Sequence, residues 1–421
     1  MRLPSLARPG MAYFPRRWHD RQMPSSTTAV TEHQVREARL AAQHLRGPGL
    51  PHLPAVVEHL VAVQSQEFWL SLWGLASRIG PTPDIADSRT AFDGGDVVRT
   101  HLLRPTWHTV TPRDARWLLA LTGPRVHQVN SSQYRSIGLT PELLDRSRDV
   151  LTAAVARQEQ PRSALAATLE AHGLPHTGLP LTGFLMNAEL TCGIVSGATR
   201  GKHHTYAAFD ARVPAGFGPL GNSFDRDAAV VELVRRYLAS RALATAHDFS
   251  RWSGLTVTDT KRALDDLGAE VAARPGAETL EGLTFWGPAD LELRAGARQG
   301  RRRTPAPRVD LLQPYDEYEA SYPVTRTASH EPGPGATTEP PYFLGAIAVD
   351  GRVAGRWRST TTTRELRLET QWYRQPTAPE LDAVESEGAR LARFWGLGLA
   401  AVLREPAVVL RPAAGGSATG T

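Results

Sequence analysis

Gln64-Ser65-Gln66 sets two primary amides two residues apart inside an apolar run, Leu60 to Gly80 (LVAVQSQEFWLSLWGLASRIG). Each amide offers a carbonyl acceptor and an NH2 donor without a formal charge. Such a pair can orient a water or hold a substrate atom in a cleft. It can equally cap backbone groups where a helix begins. Either way the amides need partners, because an unpaired buried polar group costs roughly 1–3 kcal/mol. A second candidate is Tyr315-Asp316-Glu317-Tyr318, paired carboxylates flanked by aromatics. Carboxylates against an apolar wall can act as acids, bases or cation stabilisers, whereas an Asp between two strands more commonly forms a turn.

Other motifs point to anion binding. Gly197-Ala-Thr-Arg-Gly201-Lys202 looks like a phosphate loop, but the spacing is one residue short and His203 stands where Ser or Thr is required. A wing tip carrying Arg200, Lys202 and His203 toward a phosphate backbone is the better reading. His203-His204 lack further ligands at a useful spacing, so no metal is implied. Arg356-Trp357-Arg358 alternates along a strand, giving both arginines one face.

The elements that must position these residues fall into a pattern. Thr31 is an N-cap candidate for a helix through TEHQVREARLAAQHL. A second helix spans about Leu53–Ala62, and Phe68, Trp69, Leu72, Trp73 and Leu75 carry the spacing of a buried helix face. Two strands, Val97–Leu103 and Thr106–Val110, precede a helix opened by Thr111 in TPRDARWLLALTG. Three helices and two strands (Ile194–Ser196, His203–Ala207) follow. A third pass has helices over Ala228–Arg241, Ala246–Trp252 and Thr256–Leu267, then strands Glu270–Ala273 and Leu283–Trp286. Helix, helix–turn–helix and a two-stranded wing is the winged-helix arrangement. Beyond a basic stretch (RAGARQGRRRTPAPR) the chain is β-rich, with Asp350-Gly351 a hairpin turn and a closing helix over Leu381–Trp395.

The expected fold class is therefore α+β: three tandem winged-helix motifs followed by a small C-terminal β-barrel-like domain. The expected divisions are a disordered extension over 1–30, winged helices over 31–139, 140–222 and 223–293, a linker and barrel-like domain over 294–411, and a tail over 412–421. The chain has 421 residues, 41% hydrophobic and 22% charged, as in a soluble globular protein. A single cysteine, Cys192, excludes an internal disulfide framework and any CxxC metal site. Arg16-Arg17 lacks a following apolar segment, so export is not expected, and a cytoplasmic, nucleoid-associated location is. Residues 1–30 hold five arginines against one aspartate, which accounts for most of the net charge of +5. Nucleic acid would have to use a local basic face rather than a global field.

Together VQSQ (63–66), VVRTHLLRPTWHTVTPRDARWL (97–118), GATRGKHHTYAAFDARVP (197–214), DFSRWSGLTVTDTKRAL (248–264), LLQPYDEYEASY (311–322) and AIAVDGRVAGRWRST (346–360) resemble the winged-helix DNA glycosylases of the AlkZ and YcaQ type. The resemblance runs from about residue 31 to 405. It implies a concave duplex-binding surface and a catalytic Gln-x-Gln, matched by Gln64 and Gln66, in place of the Gln-x-Asp of the YcaQ-like branch. The expected activity is monofunctional hydrolysis of the N-glycosidic bond of N-alkylated purines in duplex DNA, extended by the resemblance to bulky N7 adducts and interstrand crosslinks. No lysine lies near the glutamines to form a Schiff base, and no metal or organic cofactor is implied. The expected phosphate contacts are Arg99, Arg104, Arg200, Lys202, His203, Arg251, Arg356 and Arg358, with Asp316 and Glu317 a secondary catalytic possibility. A monomer wrapping one duplex is expected. The rival reading is a non-catalytic winged-helix DNA-binding regulator.

Overall fold

The computed structural model describes residues 28–293, 306–331 and 345–404. The expected tail, nearly all of the expected extension, and most of the basic linker lie outside the described residues. Val30, assigned to the extension from sequence, is buried and exchanges backbone hydrogen bonds with Pro275 and Ala277.

The first pass of the chain holds α1 (Glu32–Ala42), α2 (Leu53–Leu60), β1 (Val63–Gln64), α3 (Phe68–Ala76), α4 (Ile85–Gly94), β2 (Val98–Leu102), β3 (Thr106–Val110) and α5 (Pro112–Ser136). Thr31 caps α1 in a capping box with Gln34. The helix opened by Thr111, expected over TPRDARWLLALTG, runs on as α5 for 25 residues with Pro124 inside it. Pro removes one helical hydrogen bond, and burial of residues on both sides of it, from Leu118 to Tyr134, outweighs that loss. Strands order as β1-β3-β2, all antiparallel.

The second pass holds α6 (Pro141–Val155), β4 (Gln160–Pro161), α7 (Arg162–Ala171), α8 (Gly178–Leu190), β5 (Ile194–Ser196), β6 (Thr205–Ala208) and α9 (Phe209–Arg212), with strand order β4-β6-β5. The third holds α10 (Arg226–Arg241), α11 (Ala246–Ser253), α12 (Val257–Leu267) and the hairpin β7 (Val271–Pro275) with β8 (Thr284–Pro288).

The last region contains β9 (Val309–Leu312), α13 (Glu317–Ala320), β10 (Gly345–Val349), β11 (Arg352–Thr361), β12 (Glu365–Trp372), α14 (Ala378–Phe394) and β13 (Gly398–Arg404). Its strands order as β13-β12-β11-β10-β9. Among the described residues this is an open five-stranded sheet backed by α14, where sequence suggested something barrel-like. The β10–β11 turn has Asp350 and Gly351 both at positive φ, 47° and 76°, as an Asp-Gly hairpin turn requires.

Two large apolar cores organise the molecule. One gathers α5, α6, α8, α10, α11, α12 and the β2–β3 hairpin. The other gathers α2, α3, α14 and the five-stranded sheet. Val61 and Ala62 belong to the first and Val63 to the second. The glutamine motif thus follows directly on the point where the chain crosses between cores. Among the described residues no helix is long and apolar enough to cross a membrane.

Candidate active site

Val61 turns the chain from α2 into β1 at φ 66°, ψ −54°, a conformation that β-branched residues rarely adopt. Two residues on, β1 lies at the edge of its sheet with Gln64 directly opposite His108. The Gln64 backbone faces away from β3. Its N–H donates to Glu317 Oε1 at 3.0 Å and its carbonyl accepts from Gln313 Nε2 at 3.2 Å. Gln64 and His108 therefore form the non-hydrogen-bonded kind of antiparallel pair, in which side chains approach most closely.

The Gln64 side chain is buried, and its Oε1 accepts from Arg104 Nη2 at 2.8 Å. A guanidinium only donates, so the carbonyl end of the amide must face Arg104 and the NH2 end is left for something else. Gln66 is half-buried; its side chain has no hydrogen bond among the described residues, and its backbone carbonyl accepts from Arg99 Nη2 at 3.5 Å. The N-cap of α3 is Glu67, with no side-chain cap bond. Neither glutamine caps that helix.

Two arginines expected on the phosphate footprint are spent on this motif. Arg99 is buried, donates to the Ser65 carbonyl at 2.9 Å and lies over Trp107 at 4.4 Å. Burial lowers its pKa to about 10. Ser65 Oγ and Thr109 Oγ1 meet at 2.7 Å, so the turn from β1 into α3 is fastened on both sides. Besides Gln64, Arg104 donates to the backbone carbonyls of Trp252 and, at 3.4 Å, Arg251. Gly254, at φ 74°, lets α11 end against this turn: a Cβ there would meet the Leu103 carbonyl oxygen at 2.5 Å. Both arginines thus donate to carbonyls of the motif and of the end of α11.

The carboxylate pair is structural as well. Asp316 is buried, forms a two-pronged pair with Arg78 at 2.6 and 3.1 Å, and accepts from the Tyr318 N–H that opens α13. Glu317 is buried and takes four donors: Gln64 N, Arg241 Nη2 (2.9 Å), Trp252 Nε1 (2.9 Å) and Ser321 Oγ (2.6 Å). Burial alone would raise its pKa, but Arg241 foremost, then Ser321 and the Gln64 N–H, hold it below the ordinary value. Three of these donors converge on Oε2 and the Gln64 N–H takes Oε1, so the carboxylate is held as an ion by the protein around it. It fixes β1 in place.

Arg356, expected on a DNA-facing strand, is instead buried and paired with Glu319 at 2.8 and 3.0 Å and with the Tyr373 hydroxyl at 2.7 Å. Strand alternation gave the face but not its cover, which α13 supplies. Arg358 is exposed and paired with Glu369 at 2.6 Å. Arg200, Lys202 and His203 are exposed on the β5–β6 connection, and Arg251 is exposed on α11. That connection reaches the site region through His204, whose ring lies edge-on to Phe68 at 4.5 Å and beside Trp69 at 6.3 Å. Burial lowers its pKa to about 4.

His108, Arg241, Trp252 and Gln313 surround Gln64 but were not singled out from sequence. For His108 a signal existed, since alternation in Thr106–Val110 puts it on the same face as Val110. Among the described residues no group of three or more His, Cys, Asp or Glu could hold a metal.

The family model for the DNA glycosylase AlkZ-like family matches residues 57–394. An interstrand DNA cross-link repair glycosylase of Streptomyces sahachiroi is 23% identical over 375 residues, spanning 86% of this chain and 96% of that protein. The solved structure of Streptomyces sahachiroi DNA glycosylase AlkZ superposes with a TM-score of 0.67 at 20% identity, covering 90% of this chain and all (100%) of that one. At that identity the superposition speaks to fold.

Proposed function

The chain belongs to the AlkZ-like DNA glycosylase family, and we propose that it hydrolyses the N-glycosidic bond of N-alkylated purines in duplex DNA, bulky N7 adducts and crosslinked bases included. The observation that carries this reading is the state of the Gln64–Gln66 pair. Both sit at the seam of two cores, neither caps a helix, and Arg104 occupies the Gln64 carbonyl so that its NH2 has no partner among the described residues.

The chemistry suits amides. An alkylated purine already carries positive charge, so when the C1′–N bond breaks its electron pair neutralises the leaving base. Little protonation is needed. What remains is to position a water and to stabilise an oxocarbenium-like sugar. The water oxygen then bonds to C1′, and its surplus proton leaves to solvent. Lys202 is exposed on the β5–β6 connection and Lys261 lies on α12; with no lysine on the glutamine motif, we read the reaction as monofunctional hydrolysis. The three helix-and-hairpin passes are read as winged helices that grip one duplex by a single chain. Their contacts are assigned to exposed Arg200, Lys202, His203 and Arg251, with Arg358 weakened by its Glu369 partner.

Base release from duplex DNA carrying an alkylated purine tests the reading directly. Wild-type protein should release the base in single turnover and Gln66→Ala should not. Equal release by wild type, Gln64→Ala and Gln66→Ala on several alkylated substrates would move the catalysis off the glutamines, and no release by wild type would return the protein to a binding role.

A further inference from the structure

The face of the first sheet that carries Gln64 holds more unpartnered polar atoms than packing explains. Gln64, His108 and Thr100 stand in one cross-strand row, since His108 pairs with Gln64 on one side and Thr100 on the other. Directly opposed residues point to the same face. Both His108 and Thr100 are 0% exposed, and His108 Nε2 and Thr100 Oγ1 have no hydrogen-bond partner among the described residues. Thr106 Oγ1, two residues from His108 on that face, is in the same condition. The rest of the face is apolar, with Val98, Leu102 and Val110 in the core.

The His108 ring is also fixed in kind. Its Nδ1 lies 3.0 Å from the Thr106 carbonyl, which only accepts, so Nδ1 carries the proton and Nε2 is a bare acceptor. On the Gln64 amide the reverse holds: Arg104 occupies the carbonyl and the NH2 donates. Donor, acceptor and hydroxyl thus lie in one cross-strand row, in the order Gln64, His108, Thr100. A water needs 2–4 polar partners to be held in a protein interior, and this row supplies three.

We propose that Gln64, Thr100 and His108 form a binding site for the water that attacks the sugar, with the Gln64 NH2 donating to it and His108 Nε2 accepting from it. The site rests on the glycosylase reading above and adds an acceptor beside Gln64, whose own carbonyl is occupied by Arg104. A neutral imidazole orients a water without presenting a carboxylate to a cationic substrate.

Single-turnover base release, duplex affinity and melting temperature test it in His108→Phe, His108→Gln and Thr100→Val. Gln can return an acceptor near the Nε2 position, and Val keeps the volume of Thr. His108→Phe should lower release roughly 10- to 100-fold and Thr100→Val by about 10-fold at most, on the scale of lost hydrogen bonds. Affinity should stay near wild type, and His108→Gln should recover much of the loss. In a Gln64→Ala background His108→Phe should cost nothing further. If Gln64→Ala abolishes release while His108→Phe and Thr100→Val match wild type, the water site is overturned and the glycosylase reading stands. If wild type releases no base, both fall. For the unaltered protein, 15N shifts of labelled histidine should place the His108 proton on Nδ1 from pH 5 to 8. A proton on Nε2 overturns the site whatever the variants do.

Discussion

Two buried polar clusters meet at Gln64, and they are built on opposite rules. Around α13, Asp316 with Arg78, Glu317 with Arg241 and Glu319 with Arg356 are each paired and further hydrogen-bonded. On the β2–β3 hairpin, Thr100, Thr106 and His108 each keep a buried polar atom without a partner among the described residues. Buried polar groups in folded proteins are nearly always satisfied, so the exceptions ask for a reason. The saturated cluster holds the backbone of β1, and the unsaturated one faces its side chain. The residues with the most conspicuous chemistry in the sequence, the carboxylates, belong to the saturated side. Charge identifies what must be paired; an open valence identifies what can still bind.

The comparison can be broken most sharply at Gln66. Its side chain supports nothing among the described residues, so Gln66→Ala should leave the melting temperature nearly unchanged while single-turnover base release falls by roughly 10²–10⁴. Gln64→Ala should lower release similarly but also cost about 1–3 kcal/mol in stability, because Arg104 loses its acceptor. Equal melting temperatures for the two variants would contradict the Arg104 contact.

Glu317→Ala should show the converse. It leaves Arg241, Trp252, Ser321 and the Gln64 N–H without their common acceptor. A loss of about 3–5 kcal/mol is expected, the usual cost of removing one partner of a buried ion pair, as a melting-temperature drop visible without any substrate. Base release normalised to folded protein would fall only through displacement of β1.

Acid should separate the clusters next. Burial lowers His108 to about 3, below an unfolded value near 6.5. The folded state binds fewer protons there, so stability is full above about pH 6.5 and declines as pH falls toward 3. For His108 alone the loss from pH 7 to 5 is on the order of 2 kcal/mol. Glu317 and Glu319 have folded values below their ordinary ones, so their contribution is present above about pH 4.5 and is lost only in stronger acid. A melting profile in wild type should bend twice, and His108→Phe should weaken the upper bend. A profile flat between pH 7 and 5 would contradict a buried neutral imidazole.

The smallest effects belong to the surface. Lys202→Ala should weaken duplex binding about equally on all sequences and reduce the salt slope by about 1. Arg358→Ala, which breaks an exposed pair with Glu369, should change stability by no more than about 0.5 kcal/mol, whereas Arg356→Ala should unfold far more readily. Similar melting temperatures for these two would mean that the strand is not covered as described.

The order and type of the helices were legible in the chain itself. Thr31, Thr111 and Thr256 announce helices because an N-cap is a bond between a side chain and the next turn. Asp350-Gly351 announces its turn because few residues accept two positive φ angles. The same local reasoning, joined to the family resemblance, picked out Gln64 and Gln66. It did not say that Arg99 and Arg104 would serve those glutamines rather than phosphate, or that Arg356 would lie under α13. Nor did it find His108 opposite Gln64, 44 residues away. Caps, turns and alternation depend on neighbours within a few positions, so sequence determines them. Which arginine meets which acceptor, and which imidazole keeps a nitrogen without a partner among the described residues, depends on strand register and on how two cores close around β1, and only the tertiary structure decided that.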